Sequence, residues 1–194
     1  MGILDLDKLL ELPISDIYPA YNGVRGRTMS SQNQFLWQQI KEAGVKMIID
    51  LREGGSDTHI VDKCNQYCLD YFNYPIDNNI DAIRRMIQLF PEFCQRIDNG
   101  GFYISCAMGL HRTDIALCCY WMFYGADNGI EPPVIRGYRK EDGHNTSKIM
   151  RVMNAVYKEF EHVNGNTPFP LEILKGRKRV IEQQCREPKP AISE

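Results

Sequence analysis

The sequence predicts an α/β fold: a single domain in which a central, mostly parallel sheet of four to five strands is flanked by helices. Three observations predict it. Short apolar, β-branched runs at residues 45–51 (VKMIIDL) and 102–105 (FYIS) have the length and composition of buried strands. Longer segments with apolar residues at helical spacing separate them. The resulting order of strand, helix, strand, helix favours a sheet covered by helices, with sites beyond the carboxyl ends of the strands.

Residues 30–41 (SSQNQFLWQQIK) open on a serine cap candidate, carry Phe35, Leu36 and Ile40 on one stripe, and stop at Gly44. The strand at 45–51 follows, then a loop at 52–56 (REGGS). Residues 60–69 read as a helix and 71–74 as a short strand leading into the loop Pro75-Ile76-Asp77-Asn78-Asn79. Asp81 is placed to cap the next helix, whose apolar face holds Ile83, Met86, Ile87, Phe90, Phe93 and Ile97. Pro91 is expected to kink or restart that helix, and Asn99-Gly100-Gly101 to end it.

After the strand at 102–105 comes a loop and then residues 114–124 (DIALCCYWMFY), apolar on every side and therefore the central buried helix. Residues 125–143 read as loop, and 146–163 as an amphipathic helix. Beyond Gly165 a basic run at 175–179 (KGRKR) and a proline-containing tail suggest a last helix and a frayed end. The expected organisation is one domain over residues 1–164, with residues 165–194 packed on it or extending from it.

Composition narrows the function. With 194 residues the chain can bury a sizeable core. A formal charge of −2 gives no global reason to expect nucleic acid or an anionic membrane as partner. The start MGILDLDKLLELPISD lacks the features of a signal peptide, and its sixth residue, Leu6, spoils a myristoylation site at Gly2. No stretch approaches the roughly 18 apolar residues of a membrane span. Seven cysteines without Cys-x-x-Cys spacing, beside four histidines, predict neither a disulfide framework nor a zinc site, but a reduced cytoplasmic protein without metal or cofactor. A monomer is expected.

The chemistry concentrates in residues 104–113 (ISCAMGLHRT), between a buried strand and a buried helix. Backbone N–H groups at such a helix start, with the helix dipole, form a nest for phosphate-sized anions. Ala107, Met108, Gly109, Leu110 and His111 would supply the cradle, with Gly109 allowing its tight turn. Cys106 at its opening feels those dipoles and the charge of Arg112, and both favour thiolate. Arg112 offers a planar fork for two phosphate oxygens. Thr113 can support the sulfur when it becomes a leaving group. A general acid is also required, and Asp77, in a loop on the same sheet edge, is the first candidate, with Asp81 as rival.

These residues resemble the protein tyrosine phosphatase superfamily, in particular its small dual-specificity-like members. The signature His-Cys-x-x-Gly-x-x-Arg-Ser/Thr stands here as Ser105-Cys106-Ala-Met-Gly109-Leu-His-Arg112-Thr113. Residues 43–52, ending in Leu51-Arg52, resemble a family strand, and Tyr74-Pro75-Ile76-Asp77 resembles the general-acid loop. The likeness extends over residues 15–163. It implies a phosphatase acting through phosphocysteine, with Cys106 as nucleophile, Arg112 as phosphate clamp, Asp77 as acid and then base, and Thr113 assisting the second step.

Ser105 departs from the family histidine, and Asp114 from the small residue that commonly follows the Arg-Thr pair. Asp114 would cap the helix or oppose the anion field. The loop carries no lysine, unlike the lipid-phosphatase branch. The leading expectation is hydrolysis of phosphotyrosine or mixed phosphoprotein substrates. The alternatives are an inactive module that captures phosphate groups, and a phosphatase of small phosphomonoesters such as inositol phosphates, with Arg84, Arg85, Arg136, Arg139 and Lys140 flanking the site. Cys64 or Cys68 would be the partner in any redox switch of Cys106.

Overall fold

Strand periodicity sorts the core into two faces. The computed structural model describes residues 4–14, 17–53, 58–136 and 144–186. Its five strands, β1 (Tyr18–Ala20), β2 (Gly23–Arg27), β3 (Met47–Asp50), β4 (Asp70–Asn73) and β5 (Phe102–Cys106), lie in the order β1-β2-β5-β3-β4. All neighbours run parallel except β1, which pairs antiparallel with β2 at the edge. Alternate residues point to opposite faces. Phe102, Ile104 and Cys106 face one core cluster together with Met47 and Ile49, whereas Tyr103, Ile48 and Val24 face the other.

The second face is covered by α1 (Leu6–Leu10), α2 (Gln34–Glu42) and α3 (Thr58–Gln66). The first is covered by α4 (Ile80–Asn99), α5 (His111–Phe123), α6 (His144–Asn164) and α7 (Leu171–Arg186), with a 3-10 turn at Gly125–Asn128. The expected class and mostly parallel sheet are therefore present. The register sets Arg27 beside Cys106, and Asp50 beside both Ser105 and Asn73. Four strands thus end along one edge, and the connections from three of them form the site.

Several local expectations need correction. Asn33, not a serine, caps α2 by accepting from the Leu36 N–H at 3.1 Å. Phe35 is 69% exposed, and the buried stripe is Leu36, Trp37 and Ile40. Asn79 caps α4, accepting from the Ala82 N–H at 2.8 Å, so Asp81 lies in the first turn instead. Helix α4 runs through Pro91 without restarting, since burial of Phe90, Phe93 and Cys94 holds the turn the proline weakens. Helix α5 starts three residues before Asp114. Strands β1 and β2 carried no sequence signal: GVRGR has two glycines and an arginine, not an apolar run.

Candidate active site

The central strand β5 delivers Cys106, 4% exposed, to the carboxyl edge of the sheet. Only residues 107–110 separate it from α5, so Arg112 and Thr113 belong to the helix's first turn and not to the loop. The Cys106 carbonyl accepts from the Gly109 N–H at 3.0 Å and from the Thr28 N–H at 3.1 Å. The first bond closes the turn, and the second fastens it to the end of β2.

Gly109 is required by this arrangement. Its φ is +68°, and a Cβ there would run into the Gly26 carbonyl and come within 2.7 Å of the Arg27 nitrogen. On the far side the Tyr103 hydroxyl donates to the Arg27 carbonyl at 2.7 Å. Loop and strand end are packed backbone on backbone.

Arg25 organises the loop from behind. It is 1% exposed, donates from Nε and Nη2 to the Gly109 carbonyl at 3.2 and 3.0 Å, and from Nη2 to the Leu110 carbonyl at 3.0 Å. Its Nη1 lies 2.7 Å from Asp114 Oδ1, and that carboxylate also accepts from the Arg136 N–H at 3.1 Å. Asp114 is thus neither a cap nor a charge set against the loop: it neutralises a buried arginine. Because peptide C=O and N–H groups point oppositely, carbonyls drawn toward Arg25 turn the Leu110 and His111 N–H groups away from it.

The Thr113 hydroxyl donates to Cys106 Sγ at 3.5 Å, and Thr113 is fully buried. Ser105, which stands where the family has histidine, is also buried.

Asp77 arrives from a separate element. Beyond β4, the Tyr74 N–H donates to the Asp50 carbonyl at 2.9 Å and the Ile76 N–H to the Leu51 carbonyl at 3.1 Å, which extends the pairing with β3. Tyr74 stacks on Phe93 at 4.1 Å and donates its hydroxyl to the Met86 carbonyl. Asp77 Oδ1 accepts from the Asn78 N–H at 2.5 Å, while Asn79 Nδ2 donates to Asp77 Oδ2 at 3.1 Å and to Glu53 Oε1 at 3.0 Å. Glu53 and Asp77 are hydrogen-bonded to each other. The Asn78 N–H, then Glu53, hold the Asp77 carboxyl below its ordinary range, and Glu53, facing that carboxylate, is pushed above its own.

These parts surround a pocket of about 360 Å³, whose lining includes Cys106, Arg112, His111, Asp77, Lys148 and Arg151. Ala107 and Met108 line it too, whereas Gly109 and Leu110 serve from behind, through the carbonyls held by Arg25. Of the residues singled out in the sequence, Cys106, Arg112 and Asp77 line this pocket and Thr113 lies against the Cys106 sulfur, whereas Arg25, Glu53, Lys148 and Arg151 were not singled out. An arginine between two glycines announces nothing, and the cations of α6 gain meaning only once that helix is placed.

Among the described residues the expected flanking arginines lie elsewhere. Arg84 pairs with Glu159 at 3.1 Å, and Arg136 sits over the Tyr18 ring at 4.4 Å from its centre. Arg85 is exposed and does not line the pocket, while Arg139 and Lys140 fall outside the described residues. Cys64 packs in the core of the opposite face, where burial pushes its thiol up to about 12, and Cys68 is exposed beyond α3.

No family model and no curated protein matches the sequence. Solved structures do. A candidate phosphatase (DUF442) from Shewanella putrefaciens CN-32 superposes with a TM-score of 0.53 at 14% identity, covering 80% of this chain and 98% of the other. The chain shares that protein's fold. Weaker likenesses are the catalytic core of the PP-IP phosphatase SIW14 from S. cerevisiae (TM-score 0.44, 12% identity, 89% and 94% coverage) and the Yvh1 phosphatase domain from Chaetomium thermophilum (0.40, 16%, 88% and 96%). In this fold the carboxyl end of the central strand carries Cys106, and the loop after β4 carries Asp77.

Proposed function

We propose that the protein is a cysteine-dependent phosphatase that hydrolyses phosphomonoesters through a phosphocysteine intermediate. The observation that carries this reading is the convergence of Cys106, Arg112 and Asp77, from a strand end, a helix start and a separate loop, on one pocket. In the first step the Cys106 thiolate forms an S–P bond as the P–O bond to the leaving group breaks. Asp77 gives that oxygen a proton. Arg112 and the N–H groups of the 107–111 loop neutralise charge on the transferring phosphoryl group, aided by the N-terminus of α5. In the second step water attacks phosphorus, Asp77 takes its proton, and the S–P bond breaks to release inorganic phosphate. Thr113, 3.5 Å from the sulfur, is placed to donate to the departing thiolate.

Of the two departures that suggest an inactive binding module, Ser105 and Asp114, the second is neutralised by Arg25 and so does not oppose an anion in the loop. Turnover of p-nitrophenyl phosphate across pH 5 to 8 tests the proposal. Wild type should hydrolyse it, and Cys106→Ser, Arg112→Met and Asp77→Asn should lose about 10²-fold or more. A wild type no faster than Cys106→Ser would reject the enzyme reading.

A further inference from the structure

The wall facing the Cys106 loop is built in part by α6, a helix distant in sequence from that loop, and it brings two cations into the pocket. Lys148 and Arg151 are three apart, hence neighbours on one helical face, and both line the cavity. The helix beneath them is anchored by Ile149, Val152, Met153 and Val156, all buried. With the Asn78 amide turned to satisfy both neighbours, its oxygen accepts from Arg151 Nη2 at 2.8 Å and its nitrogen donates to Asp77 Oδ1 at 2.8 Å. Among the described residues neither Lys148 nor Arg151 forms an ion pair with a carboxylate.

Resting on the phosphatase reading above, we propose that the pocket takes a small substrate bearing two or more phosphate groups. One phosphate sits on the loop at Cys106 and Arg112, and a second on Lys148 and Arg151. Three arginine or lysine side chains line the cavity against a single carboxylate, Asp77. One phosphoryl group occupies the loop and Arg112, which leaves the α6 pair without an anion. A cavity of about 360 Å³ suits a small molecule, at the lower end of the roughly 300–1,000 Å³ typical of such sites. The loop's lack of lysine is no obstacle, since the basic wall comes from a helix that follows the loop in sequence. The shared chemistry is a polyphosphorylated polyol, free or as a lipid headgroup.

The test compares kcat/KM for inositol hexakisphosphate, phosphatidylinositol bisphosphate vesicles, a phosphotyrosine peptide and p-nitrophenyl phosphate, for wild type and Lys148→Met/Arg151→Met. Wild type should prefer a polyphosphate to the peptide, and the double substitution should cut that preference by about tenfold or more, chiefly through KM. Faster turnover of vesicles than of the free polyphosphate assigns the ligand to a lipid headgroup, and the reverse to a soluble one. A preference for the phosphopeptide, or a polyphosphate preference that survives the double substitution, overturns the proposal. Calorimetric binding of inositol hexakisphosphate to Cys106→Ser, with and without the two substitutions, separates the claims. Substitution-sensitive binding without wild-type turnover leaves the subsite standing and rejects catalysis. Turnover of p-nitrophenyl phosphate without such binding does the opposite.

Discussion

At the scale of single residues, the pair formed by Glu53 and Asp77 is the most informative feature of the site. Two carboxyl groups that share a hydrogen bond titrate as a unit. Here the Asn78 N–H and Glu53 favour the ionised form of Asp77, while Glu53 is pushed toward its protonated form, first by its hydrogen bond to Asp77 and then by that group's charge. The pair therefore keeps one proton to a higher pH than Asp77 would alone. On the phosphatase proposal, a proton held by Glu53 would pass along the hydrogen bond to Asp77 as the leaving oxygen departs. Glu53→Gln still donates to Asp77 but has no proton to pass, so the alkaline limb of the kcat profile should move to lower pH. An unmoved limb would mean that Glu53 only orients the loop.

At the scale of elements, β2, the 107–110 loop and the start of α5 are joined by one buried ion pair. Arg25 and Asp114 are both almost completely shielded, and Arg25 donates to the Gly109 and Leu110 carbonyls, the second of which also accepts from the Asp114 N–H at 2.8 Å. Removing one member of such a pair leaves the other charged in a dry environment, which typically costs about 3–5 kcal/mol. Arg25→Ala should therefore lower stability in urea by about that amount. Arg25→Met with Asp114→Leu should cost much less than the sum of the single changes, a coupling that a double-mutant cycle measures. The double variant should still lose activity, since the Gly109 carbonyl loses its Arg25 donors in both cases. Normal turnover in a well-folded double variant would show that the pair supports the fold without shaping the loop.

At the scale of the whole molecule, the last helix decides where the domain ends. Sequence left residues 165–194 as an appendage, packed or extending. Leu174, Ile181 and Cys185 of α7 are buried in the same cluster as Cys106, the Arg177 guanidinium lies over Phe169, and it donates to the Met122 carbonyl at the end of α5. On this packing the domain would run through α7, and Leu174→Ala should cost about 2–5 kcal/mol, as for other core truncations. A near-neutral result in chemical denaturation would return α7 to the status of an appendage. Among the described residues no helix is long and apolar enough to cross a membrane.

The sequence by itself determined the α/β class, a strand at 102–105, and the strand-loop-helix setting of the Cys106 to Thr113 segment, because each is local: apolar periodicity and the Cys-x5-Arg spacing sit within one short window. It also pointed to Asp77, since a proline-containing loop after a strand reaches the same edge. It misassigned the caps at Asn33 and Asn79, where several polar residues compete within a few positions and only the final backbone selects one. Arg25, Glu53, Lys148 and Arg151 were decided by tertiary structure alone. Arg25 is recognisable only as the buried partner of Asp114, 89 residues away in the numbering. The α6 cations bear on the site only because apolar burial of Ile149, Val152 and Met153 turns their edge of the helix toward Cys106. A charge gains its role from what it faces, and that is set by packing across the whole chain.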